Sequence, residues 1–200
     1  MFLMKKIPLP LWINLFGLFI LTACVTATPV AVTPTSQPTP TEVRVLPTAS
    51  SPGNSITWQG LQVTMDQTEI TDSFITEFDS RRLPSPSLKF LWVHVQLKNM
   101  GENQLDIPLP ENFSMLYAAL EFKPTYGHRK GYADYTALGP ILFPNQEVNA
   151  WLRFDIPINA ELKDLRFVFL PESSRVGTSF SSPDYPYSAD HPAFVWNCAP

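Results

Sequence analysis

Cysteine, histidine and catalytic motifs are scarce in this 200-residue sequence. Two cysteines cannot form a disulfide framework or a cysteine metal cluster. The three histidines, His94, His128 and His191, do not lie at metal-ligand spacing, and no HExxH motif is present. The sequence also lacks a GxSxG nucleophile elbow, a P-loop and a GxGxxG loop. These absences give no support for an enzyme, and they predict neither a cofactor nor a metal.

The N-terminus has the profile of a secretory signal peptide. Lys5 and Lys6 form a short positive region, and residues 7–23 are uncharged and mostly apolar. This run is shorter than the roughly 20 apolar residues of a bilayer-spanning helix. Pro8 and Pro10 also weaken its first turn. We therefore interpret residues 1–23 as a signal peptide that takes no part in the fold.

The end of the apolar run carries a four-residue motif. Leu21-Thr22-Ala23-Cys24 resembles the lipobox of bacterial lipoproteins, in which an aliphatic residue and two small residues precede a cysteine. The resemblance implies cleavage before Cys24 and a diacylglycerol on its thiol. The lipid would anchor the chain to a bacterial membrane on its extracytoplasmic side, at the cell surface or in the periplasm. An uncleaved membrane anchor with a chance cysteine is the alternative interpretation.

Residues 24–53 have the composition of a linker. Thr and Pro dominate, as in Thr28-Pro29 and Pro38-Thr39-Pro40, and large apolar residues are few. Such a composition cannot form a core, and proline-rich chain favours an extended polyproline II conformation. The sequence therefore predicts a disordered stalk between the lipid and a domain over residues 54–200.

The net charge of the mature chain limits the classes of partner that are expected. Loss of Lys5 and Lys6 leaves 12 of the 14 basic residues against 18 acidic ones, a formal net charge of −6. Nucleic acid and anionic lipid both attract basic surfaces, so neither is expected as an electrostatic partner. The expected contacts are the membrane, through the lipid on Cys24, and an envelope or surface protein.

Apolar residues alternate at period two in several short runs of the predicted domain, whereas helix signals are nearly absent. Gln59-Gly60 can turn a hairpin between two of these runs, and prolines mark edges and loops between the others. Short strands with turns between them predict an all-β, antiparallel sandwich. Seven residues on inward faces form its predicted core: Leu91, Val93, Val95, Leu152, Phe154, Leu165 and Phe167.

Three segments, taken in order, resemble a known family. Residues 90–101 (FLWVHVQLKNMG) are similar to a strand that ends in a K-N-x-G turn, and residues 111–115 (ENFSM) to an F-x-L strand. Residues 144–148 (PNQEV) and 154–157 (FDIP) are similar to a P-G-E-x-V … F-D-V-P segment. Together they resemble the DUF4352 family over residues 88–170. The resemblance implies an extracellular domain with a telokin-like, immunoglobulin-like fold, but no catalytic residue, because the family has no agreed activity.

Two departures from the family pattern affect turns. Asn145 stands where the family usually has glycine, and asparagine tolerates the left-handed conformation that such a turn can need. Ala118-Ala119 replaces the usual Asp-Gly turn, which leaves the geometry of that hairpin open.

Four side chains are predicted to share an aromatic outer face. Trp92 and His94 point away from the predicted core in one strand, and Trp151 and Arg153 do so in another. If the two strands are neighbours in one sheet, these side chains lie together. Two interpretations are open. Either the face is a binding site, because large exposed apolar patches mark contact sites, or the aromatic tail from Tyr185 to Trp196 folds back and covers it.

Two weaker candidates for ligand binding lie elsewhere. Acidic residues are concentrated between positions 66 and 79, but they lack the central glycine and terminal glutamate of an EF-hand loop. His128 stands in a glycine-flanked basic loop, residues 126–131, which is either a contact for an anionic ligand or a solvated hairpin end.

The sequence favours a non-enzymatic, lipid-anchored module that binds a protein or has a structural or assembly role in the envelope. A secreted hydrolase with an unrecognised site and a solute-capturing lipoprotein are the alternatives. Once Cys24 is lipidated, Cys198 has no intrachain disulfide partner. It would then be a lone thiol packed beside Trp196, or a cysteine paired between chains.

Overall fold

The alternating runs of the sequence form β-strands. The computed structural model describes residues 47–118, 120–171 and 192–200, and all of them belong to a compact unit that spans Arg44–Pro200. The strands of these residues are β1 Ser55–Trp58, β2 Leu61–Thr71, β3 Phe74–Ile75, β4 Arg81–Arg82, β5 Leu88–Asn99, β6 Leu105–Asp106, β7 Phe113–Tyr117, β8 Leu120–Phe122, β9 Ile141–Leu142, β10 Glu147–Pro157, β11 Leu165–Phe169 and β12 Phe194–Asn197. Short 3-10 turns occur at Pro110–Asn112, Tyr135–Ala137 and Leu162–Asp164.

Most of the strands pair in two four-stranded sheets. In the described part of the chain, the first sheet has the order β1-β2-β5-β10 and the second the order β12-β11-β7-β8. Neighbouring strands in both sheets are antiparallel. The ladders β3-β4 and β6-β9 form separate two-stranded sheets. The predicted all-β, antiparallel sandwich is therefore confirmed.

The inward faces of the two sheets share one hydrophobic core. All seven predicted core residues are at most 2% exposed, so the period-two pattern predicted the inward side of each strand correctly. Trp196 of β12 is also fully buried in this core, and its indole Nε1 donates to the Asn54 carbonyl at 2.8 Å. The last residues of the chain are thus part of the sandwich.

The three turns that the sequence singled out have left-handed backbone. Gln59 and Gly60 have φ values of 47° and 86°, which fits a tight hairpin turn whose central residues both have positive φ. Asn145 has a φ of 60°, so the expected tolerance of asparagine for this conformation is confirmed. Ala118 has a φ of 52° and begins the turn without the usual Asp-Gly pair. Its neighbour Ala119 lies outside the described residues.

Asn99, in the predicted K-N-x-G turn, is a buried anchor for three separate backbone groups. Its side-chain Nδ2 donates to the carbonyl of Asn103 at 2.7 Å and to that of Leu142 at 2.9 Å. Its Oδ1 accepts from the Gly101 amide at 2.9 Å. A buried polar group of this kind is stable only when it is hydrogen-bonded, and here it joins the end of β5 to β9.

Pairing with the domain begins before residue 54. The Ser50 amide donates to the Val195 carbonyl at 2.8 Å, and the Asn197 amide donates to the Ser50 carbonyl at 2.9 Å. The signal peptide, Cys24 and residues 25–46 of the linker lie outside the described residues. Among the described residues, no helix is long and apolar enough to cross a membrane.

Cys198 is a free thiol buried in the core, with 1% exposure. Its Sγ lies 3.7 Å from the sulfur of Met115. Burial raises the pKa of the Cys198 thiol from 9.0 to about 12, because the apolar core disfavours the charged thiolate. These surroundings favour the interpretation as a packed lone thiol, since a disulfide between chains needs an accessible sulfur.

Candidate functional site

The four side chains of the predicted outer face are direct neighbours. Strands β5 and β10 pair over their full length, with Trp151 opposite His94 and Arg153 opposite Trp92. The four residues therefore form a two-by-two block on the side of the first sheet that faces away from the core. The prediction that these strands are neighbours is confirmed, whereas a binding role for the block stays a prediction.

The block is covered rather than open at Trp92, which is only 1% exposed. The Phe74 ring of β3 meets the Trp92 ring edge-on, with centroids 5.1 Å apart. The Arg129 guanidinium lies over the Trp92 ring, 5.4 Å from the ring centroid. The Trp92 Nε1 donates to Thr71 Oγ1 at 3.0 Å. Trp151 and His94 remain partly exposed.

The cover comes from segments that the sequence did not single out. β3 and the loop around Arg129 lie over the block. Residues 192–200 of the aromatic tail do not, because Phe194 and Trp196 lie in β12, which pairs with β11 in the other sheet. The expected cover by this part of the tail is therefore wrong. Tyr185 and Tyr187 lie outside the described residues.

A β-bulge brings a carboxylate to the polar end of the block. The register of β2 against β5 shifts between Met65 and Gln67, and a bulge of this kind redirects the side chain of the extra residue. The extra residue is Asp66, whose Oδ1 lies 2.6 Å from His94 Nδ1 and whose Oδ2 accepts from Gln96 Nε2 at 2.9 Å. His94 is thus held by a structural hydrogen bond.

The acidic residues between positions 66 and 79 are spread over separate contacts. Glu69 forms a bidentate ion pair with Arg129, at 2.6 Å and 3.1 Å. Asp79 pairs with Lys130. Within the described residues, no group of three or more His, Cys, Asp or Glu is placed to hold a metal ion.

Arg153 is the most constrained charge of the block. Its Nε donates to Thr125 Oγ1 at 2.9 Å and lies 3.5 Å from Asp155 Oδ1. Its guanidinium carbon lies 5.6 Å from the centroid of the Phe74 ring and 5.1 Å from that of Phe90. Burial lowers the pKa of Arg153, and the nearby carboxylates, chiefly Asp155, oppose that shift. Arginine keeps its charge in proteins even so.

A glycine allows this arrangement. Gly127 is buried, and a Cβ built on it would lie 2.4 Å from Arg153 Nη1. The loop backbone therefore approaches the guanidinium as closely as it does only because residue 127 has no side chain.

Arg153 lines a cleft of about 410 Å³ between the β3–β4 segment and the loop that contains Gly127. This volume is within the range of ligand-binding clefts, about 300–1,000 Å³. Phe74 and Phe90 form apolar parts of its lining. Phe78 and Tyr126 also line it and are 81% and 70% exposed. The cleft thus combines aromatic surface with a fixed cation.

His128 supports the rim of the cleft. Its Nε2 lies 2.6 Å from the Tyr126 hydroxyl, and its Nδ1 lies 3.6 Å from Asp134 Oδ2. The glycine-flanked basic loop is therefore more than a solvated hairpin end, because its residues wall the cleft and cover Trp92. The glycine-flanked basic pattern of this loop was visible in the sequence, but its contacts with the cleft and with Trp92 could not be predicted from the sequence.

A nucleophile–base arrangement that the sequence did not indicate lies on the second sheet. The Ser114 hydroxyl donates to Glu121 Oε1 at 2.6 Å and accepts from Lys123 Nζ at 2.7 Å. However, Ser114 is fully buried, and Lys123 is paired with Glu121 at 3.0 Å. A catalytic serine must reach its substrate, so the buried Ser114 belongs to a structural polar cluster.

Comparisons with known proteins give the fold alone. No family model matches the chain, and no curated protein matches it. Among solved structures, the yjhA protein of Bacillus subtilis is 15% identical and covers 74% of this chain and 97% of its own, with a TM-score of 0.52.

Two further solved structures resemble this chain more weakly, and neither has an assigned activity. The ycdA protein of Bacillus subtilis, provisionally described as a lipoprotein, is 15% identical, with a TM-score of 0.45, and the match covers 72% of this chain and 38% of that one. An uncharacterized β-sandwich protein of Clostridium difficile is 10% identical, with a TM-score of 0.43, and the match covers 77% and 98%. No activity is assigned by any of these likenesses.

Proposed function

We propose that this protein is a lipid-anchored, non-enzymatic module on the extracytoplasmic side of a bacterial membrane, and that it binds a partner protein through the aromatic cleft. The observation that carries the proposal is the cleft itself. Arg153 is fixed in its wall, and exposed Phe78 and Tyr126 lie at its rim. Exposed aromatic groups beside an arginine are typical of protein contact sites.

The membrane anchor is supported by the lipobox and the preceding apolar run. We assign residues 1–23 to a signal peptide, 24–53 to a lipidated linker, and 54–200 to a DUF4352-like domain of immunoglobulin-like type. Metabolic labelling with a palmitate analogue tests the anchor. Cys24→Ala should abolish the label, whereas Cys198→Ala should retain it. An unmodified Cys24 within a longer mature chain would contradict the anchor.

The partner-binding role can be tested by capture from native membranes with the full lipidated chain. Phe78→Ser with Tyr126→Ser removes rim aromatics that are exposed, so folding should be preserved. Leu120→Ser with Ile158→Ser is the matched control, because these residues are 58% and 60% exposed elsewhere. The partner should be lost with the rim variant and kept with the control. Retention of every partner by the rim variant contradicts the role.

The volume of the cleft favours solute capture as a second candidate, because a small molecule also fits about 410 Å³. Native mass spectrometry of the protein purified from its own membranes separates the two. A small molecule that binds wild type at one molecule per protein, and that is absent from Arg153→Gln, would favour solute capture. A secreted hydrolase has less support, because Ser114 is inaccessible.

A further inference from the structure

Arg153 has hydrogen-bond donors that the rest of the described chain does not use. Its Nε is committed to Thr125. Within residues 47–118, 120–171 and 192–200, neither Nη1 nor Nη2 donates to an acceptor, and neither is a fully buried unpaired atom. The side chain as a whole is only 15% exposed. Two guanidinium donors are thus held in the wall of the cleft and remain accessible.

The fixed guanidinium of Arg153 presents its free N–H donors as a planar fork, which favours a planar ligand group with two acceptor oxygens. An arginine guanidinium matches carboxylate and phosphate with two parallel hydrogen bonds. The contacts of the guanidinium with the Phe74 and Phe90 rings, and the hydrogen bond from Nε to Thr125, hold this group in place in advance. Less conformational entropy is therefore lost on binding than for a flexible surface arginine.

The charge balance of the cleft distinguishes between carboxylate and phosphate. Arg82 and Arg153 line it together with two carboxylates, Glu77 and Asp155. These four side chains have no formal net charge, and Asp155 lies beside the guanidinium. A phosphate group carries a charge near −2 at neutral pH and needs a cluster of cations. A single carboxylate fits a lining whose formal charges already balance and in which Arg153 lies beside Asp155.

Apolar side chains that line the same cleft define the rest of the ligand. Phe74 and Phe90 lie beneath the guanidinium. Phe78, Leu83 and Tyr126 line the same cleft and are 68–81% exposed. A ligand that pairs with Arg153 would therefore place its neighbouring groups against rings or an aliphatic side chain.

We propose that the occupant of the cleft is a peptide segment of the partner in which the carboxylate of an Asp or Glu lies beside an aromatic or aliphatic side chain. The carboxylate oxygens accept from Arg153 Nη1 and Nη2, and the apolar side chain packs against the rim. This inference rests on the proposed function and names the chemistry of its partner.

Gly127 offers a way to move the fork without removing its charge. Gly127→Ala places a Cβ only 2.4 Å from Arg153 Nη1, and the guanidinium, as the end of a flexible side chain, must shift. Gly139→Ala is the matched control, because a Cβ there meets nothing within 4 Å. Arg153→Lys is a second variant, which keeps the charge but loses the two-pronged geometry. Thermal unfolding of each variant checks that it folds.

The test is selection of a phage-displayed random peptide library on the full lipidated chain in detergent. Selected peptides should be enriched in Asp or Glu beside Phe, Trp, Tyr, Leu or Ile. The most enriched peptide is then synthesised with its acidic residue, with Gln and with phosphoserine at that position. The Gln version, Gly127→Ala and Arg153→Lys should each weaken binding about tenfold or more, as expected for loss of a charge-assisted hydrogen bond. Gly139→Ala should leave binding unchanged.

Several results would overturn the inference: no acidic enrichment, phosphoserine binding as tightly as the carboxylate, or unchanged binding by folded Gly127→Ala and Arg153→Lys. The capture experiment with the rim variant separates this failure from that of the proposed function. If the rim variant loses its partner but selected peptides carry no acid, the cleft remains a contact site and the carboxylate assignment is wrong. If the rim variant keeps every partner, both proposals are wrong.

Discussion

The two faces of strands β5 and β10 differ in composition, although successive residues of the same two strands supply both faces in alternation. The inward face carries Leu91, Val93, Leu152 and Phe154, which are at most 2% exposed and belong to the shared hydrophobic core. The outward face mixes aromatic rings with His94 and Arg153 and is covered in part by loops. One face of this sheet therefore stabilises the fold, while the other holds charged and donor groups, for which we have proposed a ligand.

The largest expected effect tests the inward face. Phe154→Ala removes a fully buried ring that packs edge-on against Phe167, and its cost should be about 3–5 kcal/mol of unfolding free energy. Ile158→Ala is the control, since Ile158 is 60% exposed just beyond the same strand; it should change stability by less than about 0.5 kcal/mol. Chemical denaturation measures both. Equal losses for the two variants would mean that the inward face is not sealed.

The next effect tests whether the outward face is truly covered at Trp92. Trp92→Phe removes the Nε1 donor to Thr71 Oγ1 and part of a ring that is 1% exposed. It should cost about 2 kcal/mol, from a lost buried hydrogen bond and an unfilled space. Trp151→Phe is the control on the same face and should cost less, because Trp151 is only half-buried. A neutral Trp92→Phe in denaturation experiments would show an open face.

A third effect tests whether water is excluded from the core around Cys198, through the pH dependence of stability. Burial raises the pKa of Cys198 from 9.0 to about 12. Between these values the unfolded chain binds fewer protons than the folded one. The contribution of the thiol to the free energy of unfolding is therefore fully present below pH 9 and is lost as pH rises toward 12. Relative to Cys198→Ala, wild type should lose about 1.4 kcal/mol between pH 8 and pH 10.

Tyr135 does not disturb this comparison. Burial raises its pKa as well, so it also lowers stability in alkali, but it does so in wild type and in Cys198→Ala alike. The measurement is the free energy of unfolding of both proteins at the two pH values. An identical pH dependence would show that water reaches the thiol.

The smallest expected effect concerns the ion pair that closes the cover over Trp92. Glu69 is 41% exposed at its side chain, although its contact to Arg129 is bidentate. Glu69→Gln should therefore cost less than about 1 kcal/mol, and salt should reduce the difference. Glu102→Gln, at an exposed position, is the control. A loss of several kcal/mol would mean that the cover contributes as much to stability as the core does.

Local patterns were sufficient for much of the fold. The period-two runs predicted the inward residues of β5, β10 and β11, because side chains alternate strictly between the two faces of a strand. The turns at Gln59-Gly60 and Asn145 followed from the conformations that these residue types tolerate. The four residues of the outward block were also predicted, since the pairing of β5 with β10 needed only the assumption that they are neighbours.

The candidate site was predicted only in part. Trp92, His94, Trp151 and Arg153 were identified, but Phe74, Phe78 and Tyr126 were not. The contact of Gly127 with Arg153 joins residues of different segments, and its only sequence signal is one glycine in a loop. The bulge at Asp66 likewise depends on how β2 pairs with β5. Short-range patterns carry no information about such partners.

The sequence by itself determined the all-β class and the side of each long strand that faces the core, because both depend on the strict alternation of neighbouring residues. Only the tertiary structure decided that β3 and the Arg129 loop cover Trp92, and that β12 joins the second sheet. It also decided that Arg153 lines a cleft. These features join segments far apart in the chain, and their geometry is set by packing, which only the folded protein fixes.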